Sequence, residues 1–307
     1  MISQGPDLFP GYIGRFAPSP TGPLHIGSLV TALGSWLDAR ANQGTWLLRI
    51  EDIDPPREHA GAADSIKGTL DALGLHWDGE VIFQGQRLSY FDRALEVLAE
   101  KQLLYRCVCS RKLIRKTEGE PGQTAGIYPG TCLNRAPENG QAHSLRIKTS
   151  GVHIEYADRI YGNFTENLAT RCGDFIVKRR NGLHAYQLAV VVDDFRQAIT
   201  HVVRGADLLD NTGRQAYLQS VLGYPRPAYM HLPVVLNSAG QKLSKQTGAH
   251  PLADDTLSDS LFSALTFLHQ NPPAELSKAL NSEILEWAMT NWQPSLIRHA
   301  ALVKNAG

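Results

Sequence analysis

Two separated stretches carry residues suited to phosphate chemistry. His25 and Gly27 follow a turn-forming cluster, Pro18-Ser19-Pro20-Thr21-Gly22-Pro23, and precede an apolar pattern of helical period. A helix start presents unpaired N–H groups and the positive end of a dipole, which suits a phosphate. Gly27 has no Cβ, so an anionic ligand can come close to the backbone. Far downstream, Lys242 and Lys245 stand three apart in Gly240-Gln241-Lys242-Leu243-Ser244-Lys245. Two ammonium groups on one loop can face a triphosphate and offset the charge that develops on an attacked α-phosphate. Such a loop can also close only on bound ligand. Taken singly, a lysine loop is ordinarily solvated surface, and a Pro/Gly cluster ordinarily shapes a connection. Their joint occurrence in one chain is what points to a nucleotide.

The elements that must position these groups follow from periodicity. Tyr12 to Phe16 reads as a strand, and Leu29, Leu33 and Leu37 mark one face of the helix that follows. Thr45–Ile50 reads as a buried strand that exits into Glu51-Asp52-Ile53-Asp54-Pro55. Helices are predicted over Arg57–Leu73 and Arg87–Leu103. This alternation predicts an α/β fold with a parallel sheet, in which ligands sit beyond the carboxyl ends of strands. Arg15 to Ser19 and Glu51 both lie at strand exits, so one crevice can hold them. The character changes at Tyr105, and 105–172 reads as an inserted subdomain with short antiparallel strands such as Leu145–Lys148 and His153–Tyr156. Sheet strands are then expected at Leu188–Val192, Ile199–Val203 and Leu232–Leu236, with a helix at Asn211–Leu222. Amphipathic helices are expected at Leu257–His269 and Ile284–Trp292. The resulting division is 11–104 and 173–245 for two halves of a nucleotide-binding domain, 105–172 for the insert, and 246–307 for a short helical region.

Thirty basic residues balance thirty acidic ones in 307 residues, so no global field draws the chain to nucleic acid, and any RNA surface must be local. Met1 to Pro10 has neither the basic start nor the apolar run of a signal peptide, and no stretch approaches the ~20 apolar residues of a membrane span. A soluble cytoplasmic protein is expected. Four cysteines are too few for a disulfide framework. Three of them, Cys107, Cys109 and Cys132, could form part of a structural zinc site, and Tyr128, His143 and Cys172 are candidates for the fourth ligand. The alternative is three free buried thiols. Basic clusters at Arg106, Arg111, Lys112, Arg115 and Lys116, and at Lys178-Arg179-Arg180, read either as contacts to nucleic-acid phosphates or as a solvated face. Asp193 and Asp194 look like paired catalytic acids, although capping or a ribose contact is the preferred reading. Trp36 and Trp46 are assigned to the core.

The motifs together resemble class I aminoacyl-tRNA synthetases. Pro20-Thr21-Gly22-Pro23-Leu24-His25-Ile26-Gly27-Ser28 is similar to the HIGH signature of that class, and Lys242-Leu243-Ser244-Lys245-Gln246 to its KMSKS signature. Arg15-Phe16-Ala17-Pro18-Ser19-Pro20, Leu48-Arg49-Ile50-Glu51-Asp52-Ile53-Asp54 and Val203-Arg204-Gly205-Ala206-Asp207 narrow the likeness to glutamyl-tRNA synthetases. The resemblance implies a Rossmann-like catalytic domain of the HIGH-signature class with a zinc-bearing α+β insert. Two departures stand out. Ser28 occupies the place of the second HIGH histidine, and only 246–307 follow the lysine loop, where a full synthetase continues into an anticodon-binding body. The shortening resembles the glutamyl-queuosine tRNA(Asp) synthetase branch.

That branch implies ATP-dependent activation of L-glutamate without tRNA, followed by transfer to queuosine at the wobble position of tRNA(Asp). The alternative is a truncated glutamyl-tRNA synthetase that charges the tRNA 3′ end. The resemblance assigns the side-chain carboxylate to Arg15, the α-carboxylate to Arg204, and the ammonium to Glu51 and Ser19. Phe16, Ala17, Pro18 and the Tyr186 hydroxyl line the pocket; His25, Gly27 and Lys245 hold ATP, with His25, Lys242 and Lys245 catalytic. Among the zinc candidates it favours Tyr128, with Cys107, Cys109 and Cys132. The partners implied are ATP with Mg²⁺, L-glutamate and tRNA(Asp) carrying queuosine, for an enzyme expected to act as a monomer. Guanidinium forks match carboxylates in bidentate fashion. The α-carboxylate is already anionic at pH 7, so positioning and charge offset carry the first step. No side chain stands out as the base for the second step, for which a phosphate oxygen of the adenylate can serve.

Overall fold

The computed structural model describes residues 11–116, 127–135, 137–138, 140–236, 242–243, 250–253 and 256–298. The chain opens with β1 (Ile13–Phe16), α1 (Ile26–Ala41), β2 (Thr45–Ile50), α2 (Ala62–Leu73) and β3 (Ile82–Phe83). β1 pairs with β2, and β2 with β3, all in parallel. Leu29, Leu33 and Leu37 of α1 are fully buried against Trp46, Leu48 and Ile50 of β2 and the Ile66, Leu70, Leu73 face of α2. α2 starts later than the periodicity predicts. Pro55–Arg57 make a single 3-10 turn, and Gly61, at φ 77°, precedes the first helical residue.

The second half of the parallel sheet is β9 (His201–Gly205) and β10 (Ala228–Leu232). Thr200 joins the halves. Its N–H donates to the Ile13 carbonyl at 2.9 Å, and its Oγ1 accepts from the Ile13 N–H at 2.8 Å. β9 therefore stands beside β1, and the direction in which the chain adds strands reverses between them. In open α/β sheets that reversal opens a crevice at the carboxyl ends of the strands.

Between the halves lie α3 (Leu88–Glu100), β4 (Leu104–Cys107), α4 (Arg111–Lys116), β5 (Ser144–Ile147), β6 (His153–Asp158), β7 (Gly162–Asn167), α5 (Leu168–Arg171) and β8 (Phe175–Lys178). β4, β5 and β8 form a small antiparallel sheet. The β6–β7 hairpin is antiparallel, but β6 also joins β10 in parallel through Tyr229 and Asp158. The hairpin thus extends the sheet of β9 and β10.

Two expected strands are corrected. Leu188–Val192 is not a strand but the middle of α6 (Tyr186–Arg196), whose Leu188 to Asp194 are all buried. A helix buried on all sides shows no polar face, so its apolar run looks like a core strand. The strand expected at Leu232–Leu236 is β10, which ends at Leu232. Pro233 follows and has no N–H for the ladder. α7 (Thr212–Leu222), α8 (Leu257–Phe267) and α9 (Asn281–Asn291) fall where helices are expected. α8 and α9 bury Leu261, Leu265, Ile284 and Ala288 in the same core as α1 and α2. Among the described residues no helix is long and apolar enough to cross a membrane.

Candidate active site

A cleft of about 980 Å³ opens at the carboxyl ends of β1, β2, β9 and β10. Arg15, Phe16, Ala17, Pro18, Ser19, His25, Gly27, Glu51, Tyr186, Arg204 and Lys242 all line it. Lys245 lies outside the described residues. The turn after β1 is drawn to the exit of β2 by the Glu51 N–H, which donates to the Pro18 carbonyl at 3.0 Å. That bond brings Arg15 to Ser19 beside Glu51.

Arg15 is held ionically. Its Nε and Nη2 donate to the two carboxylate oxygens of Asp194, at 3.1 and 3.4 Å. Asp194 Oδ1 also accepts from Nη2 of Arg49 at 2.8 Å. Arg49 is fully buried, reaches Glu51 Oε1 at 3.4 Å and donates to Gln197 Oε1 at 2.7 Å. Burial pushes the Asp194 carboxyl up, but Arg15 and Arg49 outweigh it and hold it below the usual carboxylate range. Glu51 goes the other way. Its burial exceeds the help from Arg49 and Arg15, and its carboxyl is pushed up. The expected capping or ribose role for Asp194 is corrected: it is the shared anion between two buried arginines. Asp193 is likewise engaged, accepting from Arg87 Nε at 2.5 Å and Gln84 Nε2 at 2.9 Å.

Arg204 is held by neutral groups. Nε donates to His231 Nε2 at 2.9 Å, Nη1 to Gln215 Oε1 at 2.7 Å, and Nη2 to Thr212 Oγ1 at 3.0 Å. Two longer contacts complete its five donors, to the Tyr186 hydroxyl at 3.5 Å and the Leu208 carbonyl at 3.4 Å. Burial pushes the His231 imidazole down to about 4, although Asp158 lies 2.7 Å from its Nδ1. The ring is therefore neutral near pH 7, and Arg204 keeps its full charge toward the cleft.

At the helix start, His25 is the N-cap of α1. Its Nδ1 accepts from the N–H groups of Gly27 and Ser28 at 3.1 and 3.3 Å. Those two donors, expected to face phosphate, bond the imidazole instead, and the proton of the neutral ring sits on Nε2. Ser28 Oγ closes the cap by accepting from the His25 N–H at 2.7 Å. This accounts physically for a serine in that position. A Cβ on Gly27 would come within 3.1 Å of the His25 ring and 3.6 Å of the Leu243 carbonyl, so the glycine lets the lysine loop approach the helix start. On that loop, Lys242 Nζ pairs with Asp207 Oδ2 at 2.6 Å.

The cysteine cluster lies apart, at the end of β4. The Sγ atoms of Cys107, Cys109 and Cys132 lie within 4.8 Å of one another. The Tyr128 hydroxyl is 3.4 Å from Cys107 Sγ and 3.7 Å from Cys109 Sγ. Of the other fourth-ligand candidates, His143 bonds the Gln141 carbonyl and Cys172 the Leu168 and Gly173 carbonyls. Gly173, at φ +62°, bridges to Tyr128, and a Cβ there would meet Ile127 and the Tyr128 carbonyl at 2.9 Å. Three soft thiols and a phenol oxygen at one point fit a tetrahedral cation.

A family model for the catalytic domain of class I tRNA synthetases (E and Q) matches residues 13–269. A protein of Aromatoleum aromaticum called glutamyl-Q tRNA(Asp) synthetase is 51% identical over 93% of this chain and 90% of its own. One of Thiobacillus denitrificans with the same name is 52% identical, over 91% and 93%. The chain belongs to the glutamyl-Q tRNA(Asp) synthetase family. It is accordingly an enzyme of ligase type within class I. The crystal structure of a glutamate tRNA ligase from Elizabethkingia meningosepticum shares the fold, with a TM-score of 0.78 at 24% identity, over 94% of this chain and 66% of that one.

Within this synthetase, sequence reasoning missed several groups around the cleft. Arg49 stood inside a recognised motif, and a charge within an apolar strand was the available signal. Asp158, His231, Thr212 and Gln215 carried no local signal. The Lys178-Arg179-Arg180 cluster is already engaged: Lys178 with Asp92 at 2.8 Å, Arg179 with Asp54 at 3.2 Å, and Arg180 with the Val108 carbonyl. Arg106 and Lys112 are exposed.

Proposed function

We propose that this synthetase activates L-glutamate with ATP, without tRNA, and transfers it to queuosine at the wobble position of tRNA(Asp). The observation that carries the reading is charge complementarity within one cleft. Two guanidinium groups, Arg15 and Arg204, and one carboxylate, Glu51, match the two carboxylates and one ammonium of glutamate, and His25 and Lys242 line the same cleft. The names of the relatives support queuosine of tRNA(Asp) as acceptor.

In this reading Arg15 takes the side-chain carboxylate and Arg204 the α-carboxylate. Glu51 and Ser19 receive the ammonium, and Phe16, Ala17, Pro18 and Tyr186 shape the pocket. One α-carboxylate oxygen attacks the ATP α-phosphorus, an O–P bond forms, and pyrophosphate leaves with Mg²⁺. His25, through its Nε2–H, and Lys242 and Lys245 offset the phosphate charge. A hydroxyl of the queuosine cyclopentenediol then attacks the acyl carbon and gives its proton to a phosphate oxygen of the adenylate; the bond from acyl carbon to phosphate oxygen breaks, and AMP leaves. Cys107, Cys109, Cys132 and Tyr128 would hold zinc, which would tie 105–172 together as a structural centre. We expect metal analysis to return one zinc per chain, lost on Cys132→Ser; an unchanged metal content, or none, removes that element.

Glutamate-dependent ATP–pyrophosphate exchange run without tRNA tests the first step. Labelled glutamate should then appear on the anticodon of tRNA(Asp), and on none prepared free of queuosine. Charging of a tRNA 3′ end instead would establish the truncated glutamyl-tRNA synthetase.

A further inference from the structure

Arg204 can only donate, so the His231 nitrogen it meets must accept. That fixes the imidazole proton on Nδ1, which donates to Asp158 Oδ2 at 2.7 Å. Asp158 is itself immobilised: it accepts from the backbone N–H groups of Ile160, Tyr161 and His231 at 3.0, 2.9 and 3.0 Å. The side chains of Asp158 and His231 are fully buried, and neither residue lines the cleft. The three residues sit on three elements, β6, β10 and β9, and the register Tyr229 to Asp158 brings the first two together. Gln215 and Thr212 hold the far side of the guanidinium at 2.7 and 3.0 Å. Its longest contacts, to the Tyr186 hydroxyl and the Leu208 carbonyl, are the ones an incoming carboxylate displaces most readily.

We propose that His231 is a positioning residue: kept in one tautomer by Asp158, it fixes the plane of the Arg204 guanidinium so that its Nη edge meets a carboxylate of the amino acid. This rests on the reading that Arg204 binds glutamate. Asp158 belongs to the inserted hairpin, so the insert reaches the amino-acid pocket through one imidazole. Preorganising the fork lowers the ordering required on binding.

The test is ATP–pyrophosphate exchange on the full chain, with KM measured separately for glutamate and ATP. His231→Asn keeps a donor for Asp158 but offers Arg204 no acceptor. His231→Gln restores an acceptor near the Nε2 position. Asp158→Asn offers Nδ1 a donor and drives the proton to Nε2, opposite the Arg204 N–H. We expect glutamate KM to rise about tenfold to a hundredfold in His231→Asn and Asp158→Asn. His231→Gln should stay within about threefold, with ATP KM unmoved in all three. A defect of folding alone would lower active enzyme, read by active-site titration, without splitting the two KM values. Should His231→Asn not fold, the contrast between His231→Gln and Asp158→Asn carries the same test. Unchanged glutamate KM in the foldable variants, or equal shifts for both substrates, overturns the proposal. Absence of exchange in the unsubstituted protein would instead overturn the reading of its function.

Discussion

The two arginines of the cleft are anchored by opposite means. Arg15 leans on a buried carboxylate that it shares with Arg49, and Glu51 completes a set of two cations and two anions. Among the described residues Arg204 touches no anion. Imidazole, amide, hydroxyl and carbonyl hold it, and Asp158 reaches it only through His231. The first arrangement derives its orientation from charge and leaves little uncompensated field. The second derives orientation from neutral acceptors and preserves a whole positive charge for the ligand. In the proposed reaction Arg204 faces the carboxylate that becomes the nucleophile, whereas Arg15 recognises a group that never reacts. Recognition of a spectator tolerates a compensated cation, while steering the reacting anion benefits from an uncompensated one.

The comparison can be broken by stability measurements. Arg49→Met leaves Asp194 and Glu51 buried with one cation fewer, and removing one partner of a buried ion pair costs about 3–5 kcal/mol. Arg204→Met leaves only neutral acceptors unpaired beside the cleft, at about 1–3 kcal/mol. Urea unfolding of both variants decides: an equal or larger loss at Arg204 would show that the two anchorages do not differ in kind.

Acidification sharpens the same contrast. His231 is pushed down to about 4 in the fold, against about 6.5 when unfolded. The unfolded chain thus binds the extra proton between those values, and stability falls as pH drops from about 6.5 toward 4, by at most about 3 kcal/mol. Asp194 is held below the ordinary carboxylate range, so its contribution is complete above about 4 and fades only below that. The Arg204 end should therefore weaken first, and His231→Gln should flatten the loss above pH 4. A profile that His231→Gln leaves unaltered between pH 6.5 and 4 would contradict the neutral anchorage.

Much of the frame was legible in the chain. Local periodicity named β1, α1 and β2, and the turn chemistry between them brought Arg15, His25 and Gly27 to strand and helix ends, because those features depend on neighbours within a few residues. Residue type also marked Cys107, Cys109 and Cys132 as one candidate cluster, while Tyr128 beside them came only from the family resemblance. The pattern failed in two places: Leu188 to Val192 of α6 form an unbroken buried apolar run that resembles a strand, and the strand expected at Leu232–Leu236 lies at Ala228–Leu232, ahead of Pro233.

The sequence by itself determined the local elements and the residue types that can bind phosphate, carboxylate and a soft cation. Only the tertiary structure decided which side chains support them: Asp194 meets Arg15 across 179 residues of chain, and Asp158 meets His231 across 73. The physical reason is that a buried charge takes its partner from whatever element packs against it. No spacing along the chain encodes that partner until the sheet has closed.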